Sequence, residues 1–167
     1  MTPRFSSVWE PGGQFHLLQE FYGVIYIPPE VWKELGASAK PFGLPEAQNA
    51  LQAGWLIVQA PASPSVGRVR GLGYTLHSGE LEALALALDL TGSLLVVDDA
   101  QGRRAAQTLG LAFTGTLGIL LRAKAEAKIP ALHPVLQLLQ QRTSFWLSES
   151  VYQAALRQAR EELNRRA

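Results

Sequence analysis

Apolar residues follow two alternating patterns along the chain, a helical spacing in some segments and short continuous runs in others. Together with turn residues, the helical spacing predicts helices at 14–23, 29–35, 44–54, 79–90, 100–110, 117–128, 131–142 and 148–167. The continuous runs predict strands at 24–27, 55–60, 93–97 and 111–114, and a last extended segment at 144–147. Helices that alternate with apolar strands across short connections are typical of an α/β domain with a mainly parallel sheet.

Turn-forming and capping residues predict further details of these elements. Residues 61–73 are rich in proline, serine and glycine and predict the one long loop. The almost purely apolar run 93–97 predicts a central strand that is covered on both faces. Pro130 is expected to open the helix at 131–142. Helix caps are predicted at Ser78, Asp99, Thr116 and, as a capping box, Ser150 with Gln153.

The composition limits the classes of protein that this chain can represent. With 167 residues, 47% of them hydrophobic, the chain is long enough for one domain with a substantial core, spanning residues 1–167. It has no cysteine, which excludes disulfides, thiol nucleophiles and cysteine-ligated metals, and its three histidines lack zinc-site spacing. No run approaches the about 20 apolar residues of a membrane span, and the N-terminus lacks a signal-peptide pattern. We therefore expect a soluble cytoplasmic protein with no membrane segment.

The net charge of +1 hides an asymmetry between the two parts of the chain. Residues 1–100 carry 5 Lys/Arg and 10 Asp/Glu, a net charge of −5, whereas residues 101–167 carry 10 and 4, a net charge of +6. An acidic site beside a basic surface would suit a metal-dependent enzyme that acts on a polyanion. A basic C-terminal helix on an otherwise ordinary surface is the alternative interpretation.

Two of the three aspartates, Asp98 and Asp99, directly follow the most apolar predicted strand. A helix that packs antiparallel to the next strand places its first turn beside the carboxyl end of that strand. Glu80 opens the preceding helix, so Glu80 and Asp98 are expected to meet at one edge of the sheet. Asp99 has a competing role as a helix cap, and Glu82, about 200° further round the helix, is expected to face away.

Clustered carboxylates without histidine or cysteine favour Mg²⁺ or Mn²⁺ held through oxygen atoms. The reaction that fits such a site is phosphodiester hydrolysis, with the metal ion supplying hydroxide and neutralising charge on the phosphate. Arg103 and Arg104, in the first turns of the next predicted helix, are candidates for binding the substrate backbone. Their alternative role is plain surface solvation.

Three segments, YGVIYIPPEVWKEL, HSGELEALALAL and LLVVDDAQGRRAAQTLG, resemble the PIN-domain family, especially small prokaryotic members paired with a short antitoxin protein. The resemblance implies a three-layer α/β/α sandwich with a mostly parallel sheet. It also implies a Mg²⁺- or Mn²⁺-dependent endoribonuclease, with RNA as substrate and a small antitoxin as partner. A homodimer is a candidate assembly. It matches the family's acidic positions to Glu34, Glu80 and Asp98, with Asp99 beside the last. These residues are therefore the candidate catalytic set, and the first three the candidate metal ligands.

The start of the chain departs from the family pattern. Members open with an apolar strand that ends in Asp followed by Ser or Thr, whereas MTPRFSSVW contains no Asp and Glu10 does not match the motif. We expect the N-terminal strand to be truncated or degenerate. Two alternatives to a nuclease therefore stay open: a PIN fold that binds RNA or a protein without cleavage, and an α/β scaffold with incidental acids.

Overall fold

Helices alternate with short parallel strands in the computed structural model, which describes residues 15–37, 44–143 and 145–161. The helices are α1 (Phe15–Tyr22), α2 (Pro29–Ala37), α3 (Leu44–Gln52), α4 (Ser63–Arg70), α5 (Ser78–Asp89), α6 (Ala100–Thr108), α7 (Thr116–Ala125), α8 (Leu132–Arg142) and α9 (Glu149–Gln158). The strands are β1 (Ile25–Ile27), β2 (Leu56–Val58), β3 (Leu95–Val96) and β4 (Phe113–Thr114). The α/β fold predicted from the sequence is confirmed.

The strands form two parallel pairs. β1 pairs with β2, with Ile25 opposite Leu56, and β3 pairs with β4, with Leu95 opposite Phe113. Among the described residues no strand joins the two pairs. β3 is shorter than the strand predicted at 93–97, since it comprises Leu95 and Val96, and among the described residues it pairs with β4 alone. The predicted cover on both faces is supported, because Leu95 and Val97 lie in one hydrophobic cluster and Val96 packs against another.

Two hydrophobic clusters hold the strands and helices together. The larger one joins β1 and β2 to α1, α2, α3 and the C-terminal helices α7, α8 and α9. The smaller one joins β3 to α4, α5 and α6 through residues such as Val69, Leu84 and Ala105. Within the described ranges, no helix combines the length and apolar character needed to cross a bilayer.

The segment predicted as one long loop, 61–73, contains helix α4 instead. Pro64 stands in the first turn, where a missing N–H is tolerated. The N–H of Ala62 and the hydroxyl of Ser65 both donate to the Asp89 carboxylate. Val69 is buried against the smaller cluster. Tertiary contacts from α5 thus stabilise a helix in a segment whose Pro, Ser and Gly content predicted a loop.

Three predicted caps are wrong by one or two residues. His77 precedes α5 and Gly115 precedes α7, so that Ser78 and Thr116 are the first helical residues. Ser148 caps α9 by accepting from the N–H of Val151, in place of the predicted Ser150 box. The cap predicted at Asp99 is confirmed.

The C-terminal segments also differ from the predictions. Residues 145–147, the described part of the extended segment predicted at 144–147, belong to neither a helix nor a strand, and α9 ends at Gln158 rather than at residue 167. α8 begins at Leu132, preceded by Ala131, so Pro130 lies just outside it. The predictions for Glu10 and for the N-terminal strand lie outside the described residues, as do Ser144 and residues 162–167.

Candidate active site

Asp98 links the carboxyl end of β3 to the start of α7. Its Oδ1 accepts from the N–H of Thr116 at 2.8 Å, and its Oδ2 accepts from the Thr116 hydroxyl at 2.6 Å. Thr116 is only 1% exposed, so these two bonds lie in a largely dry environment. Because each carboxylate oxygen has two lone pairs, Asp98 keeps acceptor capacity after both bonds are made.

Arg103 folds back from α6 onto the end of β3. Its Nε donates to the carbonyl of Val97 at 3.1 Å, and its Nη2 lies 3.9 Å from Oδ1 of Asp98. A Cβ at Gly115 would overlap both the Arg103 guanidinium and the Asp98 carboxylate, so this approach requires glycine. Arg103, predicted as a substrate-binding residue, thus contacts Asp98, whereas Arg104 is exposed on α6.

Asp99 caps α6. Its Oδ1 accepts from the N–H groups of Gln101 at 2.7 Å and Gly102 at 3.2 Å, which satisfies two amides at the helix start. The carboxylate also lies close enough to Glu80 for its charge to raise the Glu80 pKa. Asp99 therefore caps α6 and also raises the pKa of Glu80 through its negative charge.

Glu80 is the most unusual carboxylate in the described part of the chain. It is 7% exposed, in the first turn of α5, and its Oε2 accepts from the N–H of His77 at 3.1 Å. Its Oε1 is buried and has no hydrogen-bond partner among the described residues. Burial raises the pKa of Glu80, the charge of Asp99 raises it further, and the His77 amide opposes both effects.

Glu34 reaches the same helix start from α2. Its Oε1 lies 3.0 Å from the position that a Cβ at Gly79 would occupy, and the Val31 side chain lies at 3.2 Å. The small residue at position 79 therefore allows α2 to approach α5 beside Glu80. Glu82, two residues beyond Glu80 on α5, contacts a different part of α2: its Oε2 accepts from the N–H of Glu30 at 3.0 Å, near the start of that helix.

The structure thus brings Glu34 beside Gly79, the residue before Glu80 on α5. It also brings Glu80 near Asp99. Asp98 is held separately, by Thr116 and Arg103. Within the described ranges, no group of three acidic or histidine side chains is assembled closely enough to hold a metal ion. The donor chemistry still suits a hard cation, because the unpartnered buried oxygen of Glu80 lacks the positive partner that a buried carboxylate requires.

Sequence reasoning missed three residues of this site: Thr116, Gly79 and Gly115. Thr116 was predicted only as a helix cap, and its place two residues after β4, the strand that pairs with β3, is the signal that could have linked it to Asp98. The two glycines gave no signal, because their role is to leave space for Glu34 and Arg103 from other elements.

A family model described as a PIN domain matches residues 11–161, a range that includes Glu34, Glu80, Asp98 and Asp99. No curated protein matches the chain.

Proposed function

This chain belongs to the PIN-domain family, and from that premise we propose that it is an endoribonuclease that hydrolyses RNA phosphodiesters with Mg²⁺ or Mn²⁺. The family has a nuclease-type fold and generally uses divalent metal ions. The observation that carries the proposal is Oε1 of Glu80, a buried carboxylate oxygen without a hydrogen-bond partner among the described residues. A buried anion of this kind is stabilised by a cation.

Glu80, Asp98 and Glu34 would hold the metal ion, with Asp99 adding negative charge beside Glu80. When bound, the ion would supply a hydroxide nucleophile and neutralise charge on the attacked phosphate. Thr116 acts as a positioning residue through its two hydrogen bonds to the Asp98 carboxylate, and Arg103 does so through its ion pair with the same carboxylate. Burial of Glu80 strengthens its attraction for a cation, because charges interact more strongly away from water.

RNA is the proposed substrate. Arg104 is exposed one turn into α6, and part of the Arg103 guanidinium is accessible, so both can contact phosphates near the carboxylates. Residues 101–167, with their net charge of +6, supply further attraction for a polyanion.

A regulatory role follows from the resemblance to small prokaryotic family members. We extend the proposal to a toxin that a small antitoxin protein neutralises, acting in the cytoplasm as a homodimer. Expression in a bacterial host should arrest growth, and the Asp98→Asn variant should restore it. Normal growth with the unmodified protein present at high level would contradict the toxin role.

The direct test of the nuclease proposal is cleavage of a fluorescent single-stranded RNA with Mg²⁺, Mn²⁺ or EDTA. We expect metal-dependent cleavage that falls by at least about 100-fold in Glu80→Gln and Asp98→Asn, since ligand losses exceed the usual outer-shell effect. Glu46→Gln, which changes an exposed acid on α3, is the matched control and should cleave normally. Cleavage that survives EDTA, or that Glu80→Gln leaves unchanged, would exclude the mechanism.

A second candidate function is RNA or protein binding without cleavage. It is favoured by one observation, that the described acidic side chains do not assemble into a group of three around one point. This alternative expects RNA binding that Asp98→Asn leaves unchanged and no cleavage with either metal. The cleavage assay and a parallel binding measurement therefore separate the two functions.

A further inference from the structure

Glu82, near the start of α5, reaches across to the first turn of α2. Its Oε2 accepts from the backbone N–H of Glu30 at 3.0 Å, and its side chain is half-buried. Because Glu82 lies about 200° round the helix from Glu80, it does not face the proposed metal ion. The hydrogen bond joins residues 52 positions apart, so it depends on how α2 and α5 pack.

The start of α2 cannot cap itself. Pro28 precedes the helix and its carbonyl accepts from the N–H of Trp32 at 3.1 Å, and Pro29 is the first helical residue. Neither proline has an N–H or a side-chain acceptor, so the first amide that needs a partner is that of Glu30. Glu82 supplies this partner from α5, as an Asp or Ser at the N-cap would do locally. Its carboxylate also suits the positive end of the α2 dipole.

Two contacts, one helical turn apart, hold α2 against α5. Glu30 and Glu34 are four residues apart on α2, so they lie on one face of that helix. Gly79 and Glu82 are three residues apart on α5 and likewise share a face. Glu82 contacts the start of α2, whereas Oε1 of Glu34 lies 3.0 Å from the position of a Cβ at Gly79. The two helices therefore run antiparallel here, with a defined offset along their axes.

Apolar packing also holds α2, but it defines this offset less sharply. Leu35 is buried in the larger hydrophobic cluster, and Val31 and Trp32 pack against that cluster. Hydrophobic contact is non-directional and depends on buried area, so it tolerates small shifts along a helix axis. A hydrogen bond restricts both a distance and an angle. The bond from Glu30 to Glu82 is therefore the contact that sets the axial position of α2.

Lys33 compensates for the two carboxylates that lie at the start of α2. Its ammonium group forms an ion pair with the Glu30 carboxylate, and its side chain is 69% exposed. This pair chiefly raises the pKa of Lys33, and the charge of Glu82 raises it to a smaller extent. Lys33 thus offsets the repulsion between Glu30 and Glu82, so that the two acids can lie close together.

We propose that Glu82 is a positioning residue of the acidic site, which fixes the Glu34 carboxylate beside Glu80 by capping α2 from α5. The catalytic consequence rests on the proposed function, because Glu34 and Glu80 are the proposed metal ligands. Glu82 itself contacts neither the metal ion nor RNA. Its effect is large because Mg²⁺ requires near-ideal geometry and short bonds to its oxygen ligands, which a shift of α2 would disturb.

Asp89 offers a matched control on the same helix. Its carboxylate accepts from the N–H of Ala62 at 2.6 Å, at the start of α4, as Glu82 accepts from the first turn of α2. α4 packs in the smaller hydrophobic cluster and carries none of the proposed metal ligands. Glu82→Ala and Asp89→Ala thus each remove one cap that α5 supplies to another helix. Both should lose stability, but Glu82→Ala alone should disturb the acidic site.

Nuclear magnetic resonance on the full chain measures the positioning without any need for activity. We expect an NOE between the Glu34 side chain and the α-protons of Gly79, since these groups are in contact. Glu82→Ala should lose this NOE, and its Glu30 N–H should exchange at least about tenfold faster with solvent. Glu82→Gln, which keeps an acceptor oxygen, and Asp89→Ala should retain both properties. An NOE or a slow exchange rate that survives in Glu82→Ala would overturn the proposal.

Mn²⁺ affinity and RNA cleavage measure the consequence for the site. Glu82→Ala should bind Mn²⁺ about tenfold more weakly, as for loss of a group that supports a metal ligand. Its kcat should fall while KM for RNA stays unchanged, because Glu82 does not contact RNA. Glu82→Gln and Asp89→Ala should match the unmodified protein.

The two sets of measurements separate the positioning role from the proposed function. Equal losses of Mn²⁺ affinity and kcat in Glu82→Ala and Asp89→Ala would reduce Glu82 to a structural cap and would refute its role at the site. If the unmodified protein neither binds Mn²⁺ nor cleaves RNA, the nuclease proposal fails. The NOE and the exchange rate of the Glu30 N–H then decide by themselves whether Glu82 positions Glu34.

Discussion

Asp98 and Thr116 are joined by two hydrogen bonds, one to the backbone N–H and one to the hydroxyl of the threonine. The pair connects the end of β3 to the first residue of α7, 18 positions further along the chain. It fixes the direction of the Asp98 carboxylate at the edge of the sheet, beside the helices that carry Glu80 and Asp99. The orientation of the Asp98 carboxylate therefore depends on Thr116, whose side chain is uncharged.

Thr116→Val removes the hydroxyl with little change in shape. We expect it to lower the free energy of unfolding by about 2 kcal/mol, because hydrogen bonds to charged groups in buried sites have this strength. Urea denaturation measures the change, and Thr116→Ser should restore most of it. Thr75→Val, at an exposed position between α4 and α5, should change stability by less than about 0.5 kcal/mol. Equal stability of the two valine variants would contradict the role given to Thr116.

Asp99→Ala removes the cap of α6. The expected loss is about 1 kcal/mol of unfolding free energy, since the N–H groups of Gln101 and Gly102 lose their acceptor. Asp99→Asn keeps an acceptor oxygen and should lose much less. If the two variants are equally destabilised, the charge of Asp99 rather than its cap is what stabilises the fold.

Gly79→Ala tests the close approach of α2 to α5. A Cβ there would press on Glu34 and Val31, so we expect a loss of about 1 kcal/mol of stability from overpacking. Gly67→Ala is the control, because Gly67 lies in α4 with open space around it and should gain about 0.5–1 kcal/mol. A gain at both positions would show that Glu34 yields freely to the added methyl group.

The raised pKa of Glu80 makes stability fall as the pH rises. Below its ordinary pKa of 4.5, Glu80 is protonated in both the folded and the unfolded chain, and its contribution is complete. As the pH rises through the higher folded pKa, the folded chain must ionise a buried carboxyl, and stability is lost. Glu80→Gln should therefore gain stability relative to the unmodified protein between acidic and neutral pH. Denaturation at a series of pH values measures this difference, and parallel pH curves would contradict the burial effect.

The sequence predicted the elements that are governed by local signals. β1 and α2 follow from a β-branched run and a proline in the first helical turn, and Asp99 was predicted as a cap from its place before α6. The helix-to-strand argument also predicted that Glu80 and Asp98 meet at one edge of the sheet, because a short connection leaves little geometric freedom. The structure brings Glu80 near Asp99, the next residue along the chain.

The features that the sequence did not predict arise from contacts between distant segments. α4 is stabilised by bonds to Asp89, 27 and 24 residues away from its partners, which outweigh its Pro and Gly content. The hydrogen bonds from Thr116 to Asp98 and the ion pair between Arg103 and Asp98 likewise depend on how α6 and α7 pack beside the end of β3. The division of the described strands into two separate pairs was also not predictable, since an apolar run does not reveal which strands lie beside it.

Direct measurement of Mn²⁺ binding, by electron paramagnetic resonance on the purified full chain, tests most directly whether these carboxylates hold a metal ion. The unmodified protein should bind Mn²⁺, Glu80→Gln should bind it at least about tenfold more weakly, and Glu46→Gln should match the unmodified protein. Absence of binding in the unmodified protein, or equal affinity in all three, would contradict a metal centre built on Glu80.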